Sequence, residues 1–260
     1  MDLTTTIPTR APARGLARAV WVVVGVCWIV TIGAVLLGGN IHGHHDVVLE
    51  TSSLGWAARL ALFGSAWLVM VGAMMLPTVV PMLELFWTVS ARHPQPLLSR
   101  AVFVGTYLVV WIGFAFVALA GDAAVHALVD SWQWLSARSG LVLGGTLFLA
   151  GSFQFSALKK ACLTACRSPL SLLWQHYRRG IAGALTLGVR HALYCLGCCW
   201  ALMLVMFATG TGSLLWMLLL AGVMVAEKTT AWGGRLVPPV GIALIAGGLA
   251  TGAIALFTPL

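Results

Sequence analysis

The chain has 260 residues, of which 60 % are hydrophobic and only 8 % charged, with a mean hydropathy of +0.97. A soluble domain carries about 25 % charged residues, so the composition excludes a soluble globular protein and indicates an integral membrane protein. The net charge of +8 does not point to nucleic acid: no nucleic-acid motif is present, and the positive residues gather in alternate connections, as the positive-inside rule requires.

A bilayer core of about 30 Å needs roughly 20 apolar helical residues. Seven segments meet or approach this: about 19–38, 57–89, 100–120, 139–157, 181–209, 213–228 and 238–257. The expected fold is all-α, a single polytopic helix bundle over 1–260, with a cytoplasmic tail at 1–18, a His-rich external loop at 39–56 and a basic cytoplasmic loop at 158–180. With the N-terminus inside, 13 of the 15 Lys and Arg residues fall on the cytoplasmic side; Arg59 and Arg138 are the exceptions. That asymmetry places the C-terminus outside and, for a bacterial chain, the protein in the inner membrane as a multi-pass component. Trp56, Trp87, Trp132, Trp134, Trp174 and Trp232 lie near span ends, where amphipathic rings anchor helices.

The loop after the first span, GGNIHGHHDVVLE, holds His42, His44, His45 and Asp46. Imidazoles and a carboxylate can capture Zn(II), Cu(II) or Ni(II), although such a loop can equally be solvated. The second span carries WLVMVGAMMLPTVVPMLELFW. On a regular helix Met70, Met74, Pro77, Pro81 and Glu84 would share a face, but two prolines four apart break or kink it, freeing carbonyls of the kind that line ion sites. Glu84 has no sequence-local partner, and an ionisable group at membrane depth is a candidate proton or charge relay. Glu227 is the second such carboxylate, with an interfacial pair to Lys228 as its simpler reading. Gly140/Gly144 and Gly248/Gly252 are small-xxx-small pairs that permit close helix approach.

Three groups of cysteine follow from the topology. Cys27 lies in the first span, Cys162 and Cys166 follow the fourth in LKKACLTACRSP, and Cys195, Cys198 and Cys199 open the fifth in HALYCLGCCWALM. None reaches an oxidising exterior, which argues against a disulfide framework. Cys162 and Cys166, at i and i+4, can share a metal or form a redox pair, and Lys159, Lys160 and Arg167 would favour their thiolates. At about 100° per residue, with His191 at zero, Cys195 falls near 40°, Cys198 near −20°, Cys199 near 80° and Met206 near 60°. One stripe thus gathers an imidazole, three thiols and a thioether, ligands suited to Cu(I) and, with imidazole and thiolate dominant, Zn(II). Small buried hydrophobes are the other reading of such cysteines. Counting from Arg190, Cys195 to Cys199 lie roughly 8–14 Å into the bilayer at about 1.5 Å per residue, a depth shared by Met74 and Met75 of the second span.

The blocks WLVMVGAMMLPTVVP, FQFSALKKACLTACRSPL and GVRHALYCLGCCWALM, with Trp216, Met217, Glu227 and Lys228, resemble a bacterial membrane family catalogued as a domain of unknown function and described as predicted metal-binding integral membrane proteins. The resemblance runs from about residue 67 to 228. It implies metal binding, with Met74, Met75, Cys162, Cys166, His191, Cys195, Cys198 and Cys199 at the matching positions, and supplies no activity. The leading expectation is a membrane protein that binds, and transports or delivers, a soft ion such as copper or zinc. Its partners would be the lipid bilayer and a metal chaperone or a membrane complex. A non-catalytic subunit or assembly factor, and a thiol-redox or metal-dependent membrane enzyme, are the competing readings.

Overall fold

The computed structural model describes residues 11–36, 55–209 and 213–257, all in helices and short turns. The helices are α1 (Ala11–Leu36), α2 (Trp56–Met74), α3 (Leu76–Ser90), α4 (Pro96–Ser131), α5 (Gln133–Ser136), α6 (Gly140–Gln154), α7 (Ala157–Arg167), α8 (Pro169–His176), α9 (Ile181–Thr209), α10 (Leu214–Thr229) and, after a 3-10 turn at Gly233–Arg235, α11 (Val237–Phe257). The His-rich loop, with His42, His44, His45 and Asp46, lies outside the described residues.

Five of these helices are long and apolar enough to cross a membrane, and six if the bent pair α6–α7 is one span. The sequence count of seven is not reached, for a reason of length. At about 1.5 Å per residue, α10, with 16 residues, rises only about 24 Å, short of the hydrocarbon thickness. Three further boundaries differ from expectation. The second span is two helices rather than one, α4 extends to 36 residues, and the basic stretch after α6 is mostly helical, turning 64° away from it.

The break between α2 and α3 falls at Met75, two residues ahead of the first proline. Pro77 sits in the first turn of α3, where a helix has no use for its missing N–H, and Pro81 follows inside the same helix. Thr78 donates twice to the Met75 carbonyl, with its amide at 3.0 Å and its hydroxyl at 2.8 Å. The Met75 side chain at the break is fully buried in the bundle.

α9 is the central helix and packs against α4, α6, α7, α8 and α10, while α1 covers α2 and α3. The tightest crossing is that of α6 with α11. A Cβ on Gly144 would stand 2.9 Å from the Gly248 carbonyl oxygen and 2.9 Å from the Gly252 nitrogen, and one on Gly248 only 2.6 Å from the Gly144 carbonyl oxygen. The two glycine pairs noted in the sequence thus face each other across one interface, backbone against backbone.

At the basic end, His93 bridges the Ser99 hydroxyl and the Tyr177 hydroxyl at 2.9 Å each, tying the α3–α4 turn to the segment between α8 and α9. The Arg167 guanidinium donates to the carbonyls of Glu227 and Ala231, capping the C-terminus of α10 with a cation from α7. The Arg167 bonds tie α7 to the end of α10.

Candidate metal centre

α9 buries one side along most of its length. His191, Cys195, Cys198, Cys199 and Met206 are all buried, as their helical phase requires. Because Cys198 and Cys199 are about 100° apart on the helix, they meet different neighbours. Cys198 Sγ lies 3.8 Å from Cys166 Sγ of α7, and Cys199 Sγ lies 3.8 Å from Met75 Sδ at the α2–α3 break. Cys195, one turn earlier and between them in phase, shares the Lys228 ammonium with Cys199, at 3.1 and 3.7 Å. Five sulfur atoms from three parts of the chain are thus gathered along one side of α9.

The thiols of Cys198 and Cys199 both donate to the Cys195 carbonyl oxygen, at 3.1 and 2.9 Å. This turns their sulfurs along the helix rather than toward a common point. Accordingly, no group of three or more His, Cys, Asp or Glu side chains stands ready to hold a metal among the described residues. What the geometry offers instead is pairs. With metal–sulfur bonds of about 2.3 Å, a sulfur separation of 3.8 Å corresponds to an angle at the metal of about 110°.

Lys228 was legible in the sequence only as a partner for Glu227, and the structure assigns it differently. Its Nζ lies 3.1 Å from Cys195 Sγ, 3.7 Å from Cys199 Sγ and 3.7 Å from Met75 Sδ, and the residue is buried. Adjacent residues on a helix do not face one another, so Glu227 points elsewhere. Its carboxylate receives the Lys159 ammonium at 2.6 Å and the Gln154 amide at 3.3 Å. Lys159 and Glu227 are each about 1 % exposed, so this is a fully buried ion pair between α7 and α10. Lys159 and Arg167, expected to act on the neighbouring thiols, are thus engaged with Glu227 and with carbonyls.

The remaining candidates occupy distinct positions. The Tyr107 hydroxyl lies 3.2 Å from Cys195 Sγ, a contact the sequence did not suggest. His191 is buried between the Phe103 and Tyr107 rings, with centroids at 6.1 and 5.9 Å, and neither ring nitrogen has a hydrogen-bond partner among the described residues. A buried imidazole without a partner is costly. Cys162 packs its sulfur against Gly197 of α9, where a Cβ would come within 2.6 Å of it. Met70, Met74 and Met206 are buried in the core, and Glu84 is half-buried on α3 with no ion pair among the described residues. Among the methionines it is Met75 whose sulfur meets a cysteine.

A model of the family PpoB2, described as a copper chaperone, matches residues 64–251, from within α2 to within α11. No curated protein and no solved structure matches the chain.

Proposed function

We propose, because the chain belongs to the PpoB2 family of copper chaperones, that it is a membrane-embedded carrier that holds Cu(I) in the sulfur cluster around α9 and delivers it to a partner. The observation that carries this reading is the pairing of sulfurs on neighbouring faces of α9: Cys198 with Cys166 and Cys199 with Met75, with Cys195 between them. Thiolate and thioether together suit Cu(I), an ion content with two or three sulfur ligands. Packing alone gives no reason for five sulfurs on three parts of the chain to adjoin.

The arrangement supports transfer by ligand exchange. An ion held by Cys166 and Cys198 on the α7 side can gain Cys195 before losing Cys166, then gain Cys199 and Met75, so each step keeps at least two sulfurs on the metal. The basic residues that follow α6 assign the α7 side to the cytoplasm, which makes Cys166 the point of exchange with that compartment. The free imidazole of His191, one turn before Cys195, is a further donor within the same buried strip. Copper is the cargo in this reading, and its protein ligands are the working parts.

The test is elemental analysis of the full chain purified under reducing conditions. The wild-type protein is expected to carry copper near one equivalent, and the variant with Cys195, Cys198 and Cys199 all changed to Ala to carry none while keeping its helical circular dichroism. Equal copper in the two proteins overturns the assignment.

A further inference from the structure

We propose that Lys228 sets the charge of the ion that the sulfur cluster accepts, selecting monovalent over divalent metals; this deepens the Cu(I)-carrier reading and rests on it. The argument begins with an imbalance. Lys159, Glu227 and Lys228 lie together at the α7–α10 contact, and Lys159 and Glu227 satisfy each other at 2.6 Å. That leaves Lys228 as a buried ammonium whose hydrogen-bond partners are the sulfurs of Cys195, Cys199 and Met75, with no carboxylate bonded to it among the described residues. A buried cation is costly unless an opposite charge meets it, and the groups facing Lys228 are ligands that become anionic on metal binding.

The charge count then discriminates between ions. Metal entry releases the protons of Cys195 and Cys199 to the medium. With a monovalent ion the two thiolates form a complex of charge −1, which Lys228 neutralises. With a divalent ion the same complex is neutral, and the ammonium stays uncompensated at membrane depth, where a lone charge is expensive. Thiolate affinity alone does not exclude divalent ions, since Zn(II) also takes cysteine ligands. Lys228 is thus a specificity-determining residue that acts through its charge, without contacting the metal.

The experiment uses the full chain in detergent under reducing conditions, titrated with Cu(I), Ag(I), Zn(II) and Cd(II) against chromogenic chelators. In the wild type, Ag(I) is expected to bind and equimolar Cd(II) to fail to displace it. Lys228→Gln is expected to weaken Cu(I) and Ag(I) binding roughly 1000-fold, the scale of removing one partner of a buried charge pair, and to leave Zn(II) and Cd(II) binding unchanged or tighter. Lys228→Arg, which keeps the charge, should retain the wild-type order. The proposal is overturned if the monovalent-to-divalent ratio is the same in wild type and Lys228→Gln, or if Cd(II) displaces Ag(I) from the wild type. Should Lys228→Gln fail to fold, Lys228→Met, which removes the charge but keeps most of the length of the side chain, supplies the same monovalent-to-divalent comparison. A wild type that binds neither Cu(I) nor Ag(I) overturns the carrier reading itself.

Discussion

Where α6 crosses α11, glycine brings two backbones into contact; where α9 meets α7, α10 and the α2–α3 break, sulfur and charge fill the space between helices instead. The first interface is steric and uses shape alone. The Cβ that Gly144 or Gly248 lacks would fall under 3 Å from the opposing backbone, and no rotamer change can relieve that. The second joins its helices through a buried ion pair, a charged cap and a row of thiols. Both are interior to one bundle, yet the glycine interface has nothing to exchange with a ligand, whereas the sulfur interface has groups that can let go of one partner and take another.

That contrast can be broken or sharpened by substitution. The largest expected effect is at Lys159→Met, which strands the Glu227 carboxylate in a buried position. Breaking such a pair costs about 3–5 kcal/mol, read as a fall in the detergent-solubilised protein's thermal midpoint, and Lys159→Met with Glu227→Gln should recover much of it. Next is Gly144→Leu, where overpacking against backbone costs about 3 kcal/mol; copper bound per folded molecule should stay at the wild-type level. If that variant stayed folded but lost its copper, the two interfaces would not be separable as drawn. The smallest is Cys162→Ala, whose sulfur packs on Gly197: about 1 kcal/mol of stability and unchanged copper stoichiometry by elemental analysis.

How far the sequence carried depended on whether a signal was local. Helical phase placed His191, Cys195, Cys198, Cys199 and Met206 on one buried side of α9 because 100° per residue is a property of the helix itself. The two prolines marked a break in the second apolar segment but not its position at Met75, two residues ahead of the first of them. The facing glycines of α6 and α11 were visible as two motifs but not as one contact. Lys159 and Glu227 are 68 residues apart, and charge counting assigns a lysine to a side of the membrane without saying whether it is buried. Lys228 carried a usable signal that went unread. Neighbouring positions on a helix diverge, so a pair between Glu227 and Lys228 was never geometrically available, and each had to find its partner elsewhere.

In the proposed carrier, the thiols of Cys198 and Cys199 resting on the Cys195 carbonyl would bear on how the cargo leaves. An empty cluster of unbonded thiols would be a sink, binding tightly and emptying slowly. Here each departing ion returns two donors to an acceptor already in place. If each such bond contributes about 0.5 kcal/mol, the low end for a net hydrogen bond, occupancy is weakened about fivefold in total. The helix thereby has a resting state of its own, and in the proposed carrier the groups that make an ion's visit possible would also shorten it.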